Sequence, residues 1–140
     1  MRTFIVFDQI TAEIIEQLNG IKLVGAVSIH APSEQENILS QFKAGDTLIV
    51  EGVHLFNGVS ELYYTLCLIS SLFNGHFISL KQRKLKLDSN GNNEELLNAI
   101  GMGAKLEEKY LNMAESDADM QSIKVLKRLC IRMLEDACSK

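Results

Sequence analysis

Residues 42–80 read FKAGDTLIVEGVHLFNGVSELYYTLCLISSLFNGHFISL, and this stretch decides the fold. It predicts a helix end, a buried strand, a crossover helix and a second buried strand. Gly45-Asp46 turns the chain into Thr47–Val50, a short apolar run without polar alternation. Val59, Leu62, Tyr63, Leu66, Ile69 and Phe73 then recur at spacings of three and four. That is the apolar face of a helix over Gly58–Phe73. Asn74-Gly75 stops it, and His76–Leu80 is the next strand. The loop after the first of these strands, EGVHLFNG, lies where a parallel α/β sheet places its crevice. It holds no arginine, no lysine and no glycine-rich phosphate pattern. A scaffold that often hosts chemistry therefore lacks the usual reactive groups at this loop.

Outward from this core the alternation continues. Thr3–Phe7 predicts a buried first strand. Thr11 is the expected N-cap of a helix over Ala12–Leu18, with Ile14, Ile15 and Leu18 on its apolar face and Asn19-Gly20 at its end. Lys22–Ile29 predicts the second strand. Pro32-Ser33 opens a helix in which Ser33 and Glu36 have capping-box spacing, and Ile38, Leu39 and Phe42 form the inner stripe. Lys84–Leu87 predicts a short fifth strand whose charges suit an exposed edge. After the loop DSNGNN at 88–93, helices are expected over Glu94–Leu111 and Met120–Ala137, with a polar break at Glu115–Asp119. Strands alternating with helices imply parallel pairing through right-handed crossovers. The expected fold is an α/β three-layer sandwich, with a mostly parallel sheet of four to five strands, helices on both faces, and further C-terminal helices.

The 140 residues suit one domain able to bury a sizeable core. A net charge of −4 removes any general attraction to nucleic acid. No apolar run approaches the roughly 20 residues that span a bilayer. Met1-Arg2 leads straight into FIVF, too short for a signal-peptide core. A cytoplasmic protein without membrane association is expected. Cys67, Cys130 and Cys138 are odd in number and far apart, which disfavours a disulfide framework and a zinc site. Reduced thiols are expected, with Cys67 and Cys130 packed as small core residues. No cofactor is expected, since the G-x-G-x-x-G spacing is absent after the first strand.

Three stretches carry a resemblance: Met1-Arg2-Thr3-Phe4-Ile5-Val6-Phe7-Asp8-Gln9-Ile10-Thr11 at the first strand, Ala44-Gly45-Asp46-Thr47-Leu48-Ile49-Val50 at the third, and Leu62–Leu80. In this order they resemble the catalytic domain of serine recombinases, the resolvase and invertase family. The resemblance covers residues 1–112, leaving 113–140 as a helical extension packed on the domain or on a partner subunit. It implies a resolvase-catalytic-domain-like sheet and dimerisation through the long helix that follows it.

The family's catalytic set does not carry over. Its first-strand arginine falls on Asp8, and its nucleophilic serine on Ile10, or on Thr11 with a one-residue shift. The aspartate and two arginines after strand three fall in Val53–Gly58, which has neither residue type. Phosphodiester cleavage needs an activated hydroxyl and cations on the phosphate, because charge develops on its oxygens. Losing one such contact costs about 100-fold or more. The expectation is a degenerate member: a non-catalytic, oligomerising, binding or regulatory module linked to mobile DNA. The alternatives are a recombinase with a displaced active site at Thr11, and a small-molecule or nucleotide-binding domain using a crevice near Asp8, Gly52 and His54.

Near that crevice, His54 is a candidate base and Thr11 a candidate nucleophile, with Asp8 beside them. The plainer assignment, Thr11 as helix cap and His54 as loop residue, is favoured because no oxyanion donor set accompanies them. Lys81, Arg83, Lys84 and Lys86 place four cations in six residues and are candidate phosphate contacts, against edge protection as the simpler role. Lys124, Lys127, Arg128 and Arg132 are candidate nucleic-acid contacts on the last helix, against a solvated face. Glu107-Glu108, Asp117 and Asp119 read as solvated. Gly101 and Gly103 lie within a helix, where each costs about 1 kcal/mol relative to alanine. A close contact across a dimer, or a bend, would explain them. A sheet already covered by three helices leaves little room for two more broad apolar faces. Self-association into a homodimer or higher homo-oligomer is expected through Leu96, Ile100, Gly101, Gly103, Leu106, Tyr110 and Met113, joined by Ile123, Leu126, Cys130 and Met133.

Overall fold

A computed structural model of the chain describes residues 1–23, 25–88, 91–114 and 120–138. Five strands, β1 (Arg2–Val6), β2 (Ala26–His30), β3 (Thr47–Val50), β4 (His76–Ser79) and β5 (Lys86–Leu87), form one sheet in the order β2-β1-β3-β4-β5. The first four are parallel and β5 is antiparallel to β4. The helices are α1 (Ala12–Asn19), α2 (Gln35–Gln41), α3 (Val59–Cys67), α4 (Glu94–Ala114) and α5 (Met120–Cys138). This is the mostly parallel α/β sandwich that the strand–helix alternation predicts. No helix among the described residues is long and apolar enough to cross a membrane.

The pleat sorts the strand residues between two cores. Phe4, Val6, Leu48, Val50 and Phe77 enter the larger one with Ile38 and Phe42 at α2 and Val59, Leu62 and Leu66 of α3. Ile100 and Ala104 of α4 and Ile131 of α5 join the same cluster. On the other face, among the described residues, α1 is the helix present, and its Ile14 packs with Ile5, Ile49 and Leu80. The two faces are unequally covered, and β2 is left with Val27 and Ile29 exposed.

Several boundaries differ from the sequence expectation. Strand β2 starts at Ala26 rather than Lys22, because Gly25 turns the chain with φ +77° against the carbonyl of Met1. The Ser33–Glu36 capping box does not form. Pro32–Glu34 makes a 3-10 turn, and the Glu34 carboxylate takes the Ala31 N–H at 3.3 Å and His30 Nδ1 at 2.9 Å. The long crossover helix is α3 followed by a π-helical turn over Leu68–Leu72, where the Phe73 N–H reaches the Leu68 carbonyl. Strand β5 is only two residues long. Helix α4 runs unbroken through Gly101 and Gly103, so the helix does not end there. The break at 115–119 and residues 89–90 of the DSNGNN loop lie outside the described residues.

Candidate functional site

The crevice at the carboxyl ends of β1, β3 and β4 is organised by Glu51, a residue that sequence reading passed over. Its Oε1 accepts the backbone N–H groups of Asp8 at 3.0 Å and Gln9 at 3.3 Å. Its Oε2 meets His54 Nε2 at 3.1 Å and Lys81 Nζ at 3.3 Å. Burial pushes the Glu51 carboxyl up, but the Asp8 and Gln9 amides and then Lys81 outweigh it, and the group sits below the ordinary glutamate value. Gly52 makes the arrangement possible. A Cβ there would stand 2.8 Å from His54 Nδ1 and 3.2 Å from Lys81 Cδ.

Asp8, Gln9, Thr11, Glu13, Ile14, Gln17, Glu51 and Lys81 line a pocket of about 190 Å³. Thr11 and Asp8 are thus brought together, while His54 stands behind Glu51. The Thr11 hydroxyl accepts the Ile14 N–H at 3.2 Å and caps α1, as the plainer reading has it. The crevice is not without a cation, however. Lys81, expected on an edge strip, turns onto Glu51 and shares the pocket with Thr11. Three carboxylates against one ammonium leave the pocket acidic. A second, more open cleft of about 470 Å³ lies between the π-helical turn and the start of α4, lined mainly by hydroxyl and amide groups.

The other basic candidates are dispersed in role. Lys84 lies near Cys138 at the end of α5, where burial raises the thiol and the Lys84 charge partly offsets this. Arg83, Lys86, Lys124, Arg128 and Arg132 are exposed and Lys127 is half-buried.

The expected self-association surface divides in two. Ile100 is buried, Leu96 and Cys130 pack on the larger core, and Ile123 and Leu126 are half-buried. Gly101 and Gly103 serve contacts within the chain: added Cβ atoms would stand 3.0 Å from the Tyr63 ring and 3.3 Å from Val59. They let α4 lie close along α3. Glu107, expected in solvent, is fully buried. Its carboxylate accepts the Val59 N–H at 2.7 Å and the Ser60 N–H at 3.3 Å, capping α3 from α4. Burial, and then the Glu107 charge, push the Cys130 thiol up.

What remains outside is more ordered than the expectation. Leu106, Tyr110 and Met113 stay exposed on α4 together with Met102, and Met133 stays exposed on α5 together with Val125 and Leu129. Their spacings of three and four make one row per helix, on the side away from the buried stripe. Met102 and Val125 went unnoticed, and Leu129 reads from the sequence as widening the inner stripe of the last helix, because each helix carries two apolar stripes and periodicity alone does not say which one turns inward.

No protein-family model and no curated protein matches this chain.

Proposed function

We propose that the chain is a non-catalytic, serine-recombinase-like α/β domain that acts as an oligomerising module, using the outer rows of α4 and α5 to hold a second copy of itself. The supporting observation is the pair of rows: seven large apolar side chains, between 44 and 69% exposed, aligned on two adjacent helices. Isolated exposed apolar residues are ordinary, but aligned rows mark interaction surfaces. The loss of chemistry is supported at the crevice. Glu51 already holds two amides and two side chains, the lone pocket lysine is paired with it, and the Thr11 hydroxyl caps α1. Sedimentation of the wild type across a concentration series should show reversible association. Leu106→Glu with Met133→Glu should weaken it at least tenfold while leaving the unfolding midpoint of the dilute, monomeric protein unchanged. A wild type that stays monomeric at every concentration overturns the reading.

A second reading, DNA strand exchange through Thr11, draws on Lys81 sharing its pocket. Incubation with supercoiled plasmid tests it: a covalent protein–DNA adduct lost in Thr11→Ala would establish it over the first. The nucleotide-binding reading is weakened by size and sign. Ligand pockets are typically about 300 Å³ or more, and Asp8, Glu13 and Glu51 repel phosphates.

A further inference from the structure

Strand β2 is the outermost strand and pairs only with β1. The Phe7 N–H reaches the carbonyl of His30, so His30 turns its backbone groups toward β1. By alternation, Ser28 and Ala26 do the same, while Val27 and Ile29 direct their N–H and C=O groups outward. Their side chains lie on the thinly covered face, in register with Thr3 and Ile5, and are 44 and 63% exposed. Glu13 and Gln17 of α1 face β3 and β4 across the small pocket. Ile15 of the same helix is also exposed. The opposite edge of the sheet is defended: β5 is two residues long, one of them Lys86, and Lys84 stands just before it. Edge β2 carries no lysine, no proline and no carboxylate within Ala26–His30.

We propose that β2 is a second self-association surface, distinct from the α4 and α5 rows, which takes β2 of another copy antiparallel about a twofold axis through Ser28. The register follows from the sequence. A twofold at Ser28 sets Val27 of one copy opposite Ile29 of the other, twice. Those are the residues whose backbone groups point outward, so each such pair exchanges both of its hydrogen bonds. The same register puts an exposed β-branched side chain against another on one face, the cross-strand pairing that stabilises sheets. Ala26 meets His30 of the other copy, so no like charges oppose. His30 itself is held by Ser28 and Glu34 within its own chain. The two five-stranded sheets become continuous.

Cysteine crosslinking tests this. In the proposed register the two Ser28 residues form a non-hydrogen-bonded pair with Cα atoms about 4.5 Å apart, within disulfide reach. The experiment uses Ser28→Cys on a Leu106→Glu, Met133→Glu background, so that failure of the helix surface leaves the result readable. Mild oxidation should yield a reducible covalent dimer, whereas Val27→Cys on that background should yield little. Adding Ile29→Lys should lower the Ser28→Cys yield about tenfold, the change produced by losing roughly 1.4 kcal/mol of pairing. Equal yields from Ser28→Cys and Val27→Cys, or a Ser28→Cys yield indifferent to Ile29→Lys, overturn the proposal.

Discussion

Glu51 and Glu107 are two buried glutamates that solve the same problem differently. Each carboxylate accepts two consecutive backbone N–H groups. Glu51 sits at the lip of the crevice and adds His54 and Lys81 as side-chain partners. Glu107 is fully enclosed, and no lysine or arginine pairs with it among the described residues. Its positive partner is the amino end of α3, whose unsatisfied N–H groups and dipole suit a carboxylate. Near water a charge is met by flexible side chains, and in the interior it is met by fixed backbone. The first arrangement tolerates exchange of its parts. The second ties α4 to α3, and with it the helix that carries one of the apolar rows.

Cutting the interior pair should have the largest effect. Glu107→Ala leaves two buried amides without an acceptor and opens a void, and it should cost about 3 kcal/mol or more. Chemical denaturation measures it, and Glu107→Gln, which keeps one oxygen, should fall between alanine and wild type. Gly58→Ala should act through the same contact. Gly58 has φ +135°, and an added Cβ would stand 2.7 Å from Glu107 Oε1. Strain of this kind costs on the order of 1–3 kcal/mol. A loss below about 1 kcal/mol for Glu107→Ala would mean that water or another group satisfies those amides, and the contrast with Glu51 would vanish.

At the crevice the effect should be smaller and should depend on pH. Glu51→Gln keeps the shape and loses the charge, for an expected cost of about 1–2 kcal/mol at neutral pH. The folded state holds the Glu51 carboxyl below its ordinary value. Its contribution is therefore fully present above the unfolded value of about 4.3 and is lost as pH falls through the lower folded value. The stability gap between wild type and Glu51→Gln should stay level from neutral pH down to about 4.3 and close as pH falls from there through the lower folded value. A gap that persists unchanged into strong acid would show that shape, not charge, is what the site holds.

The fold was legible because it is written in repeated local signals. The apolar runs at Thr47–Val50 and His76–Leu80 and the stripe between them have one sensible assembly. The Thr11 cap was legible for the same reason, since donor and acceptor lie three residues apart. The two glutamates were not. Glu51 finds its partners at Asp8, Gln9 and Lys81, and Glu107 finds its own at Val59 and Ser60. Those separations leave no periodic trace, and a glutamate beside Glu108 on a long helix has the pattern of a solvated face. Gly101 and Gly103 were a usable clue. Their cost inside a helix signals close packing, but the identity of the neighbour within the chain, α3, is a tertiary fact.

The smallest effect bears most directly on how the crevice differs from the interior. Lys81 has its side chain 53% exposed, so its pairing with Glu51 is screened by water. Lys81→Met should cost less than about 1 kcal/mol, and its coupling to Glu51→Gln in a double-mutant cycle should fall at roughly 0.2–1 kcal/mol. Added salt should reduce that coupling, chiefly near 1 M, where the screening length falls to about 3 Å, the separation of the pair (3.3 Å). Small coupling would mean that the two amides, not the lysine, hold Glu51 in place, which leaves Lys81 able to swing away without disturbing the β1 loop. Coupling above about 2 kcal/mol would mean a dry pair. The crevice would then be as rigid as the Glu107 cap, and the division between a replaceable lip and a fixed interior would fail.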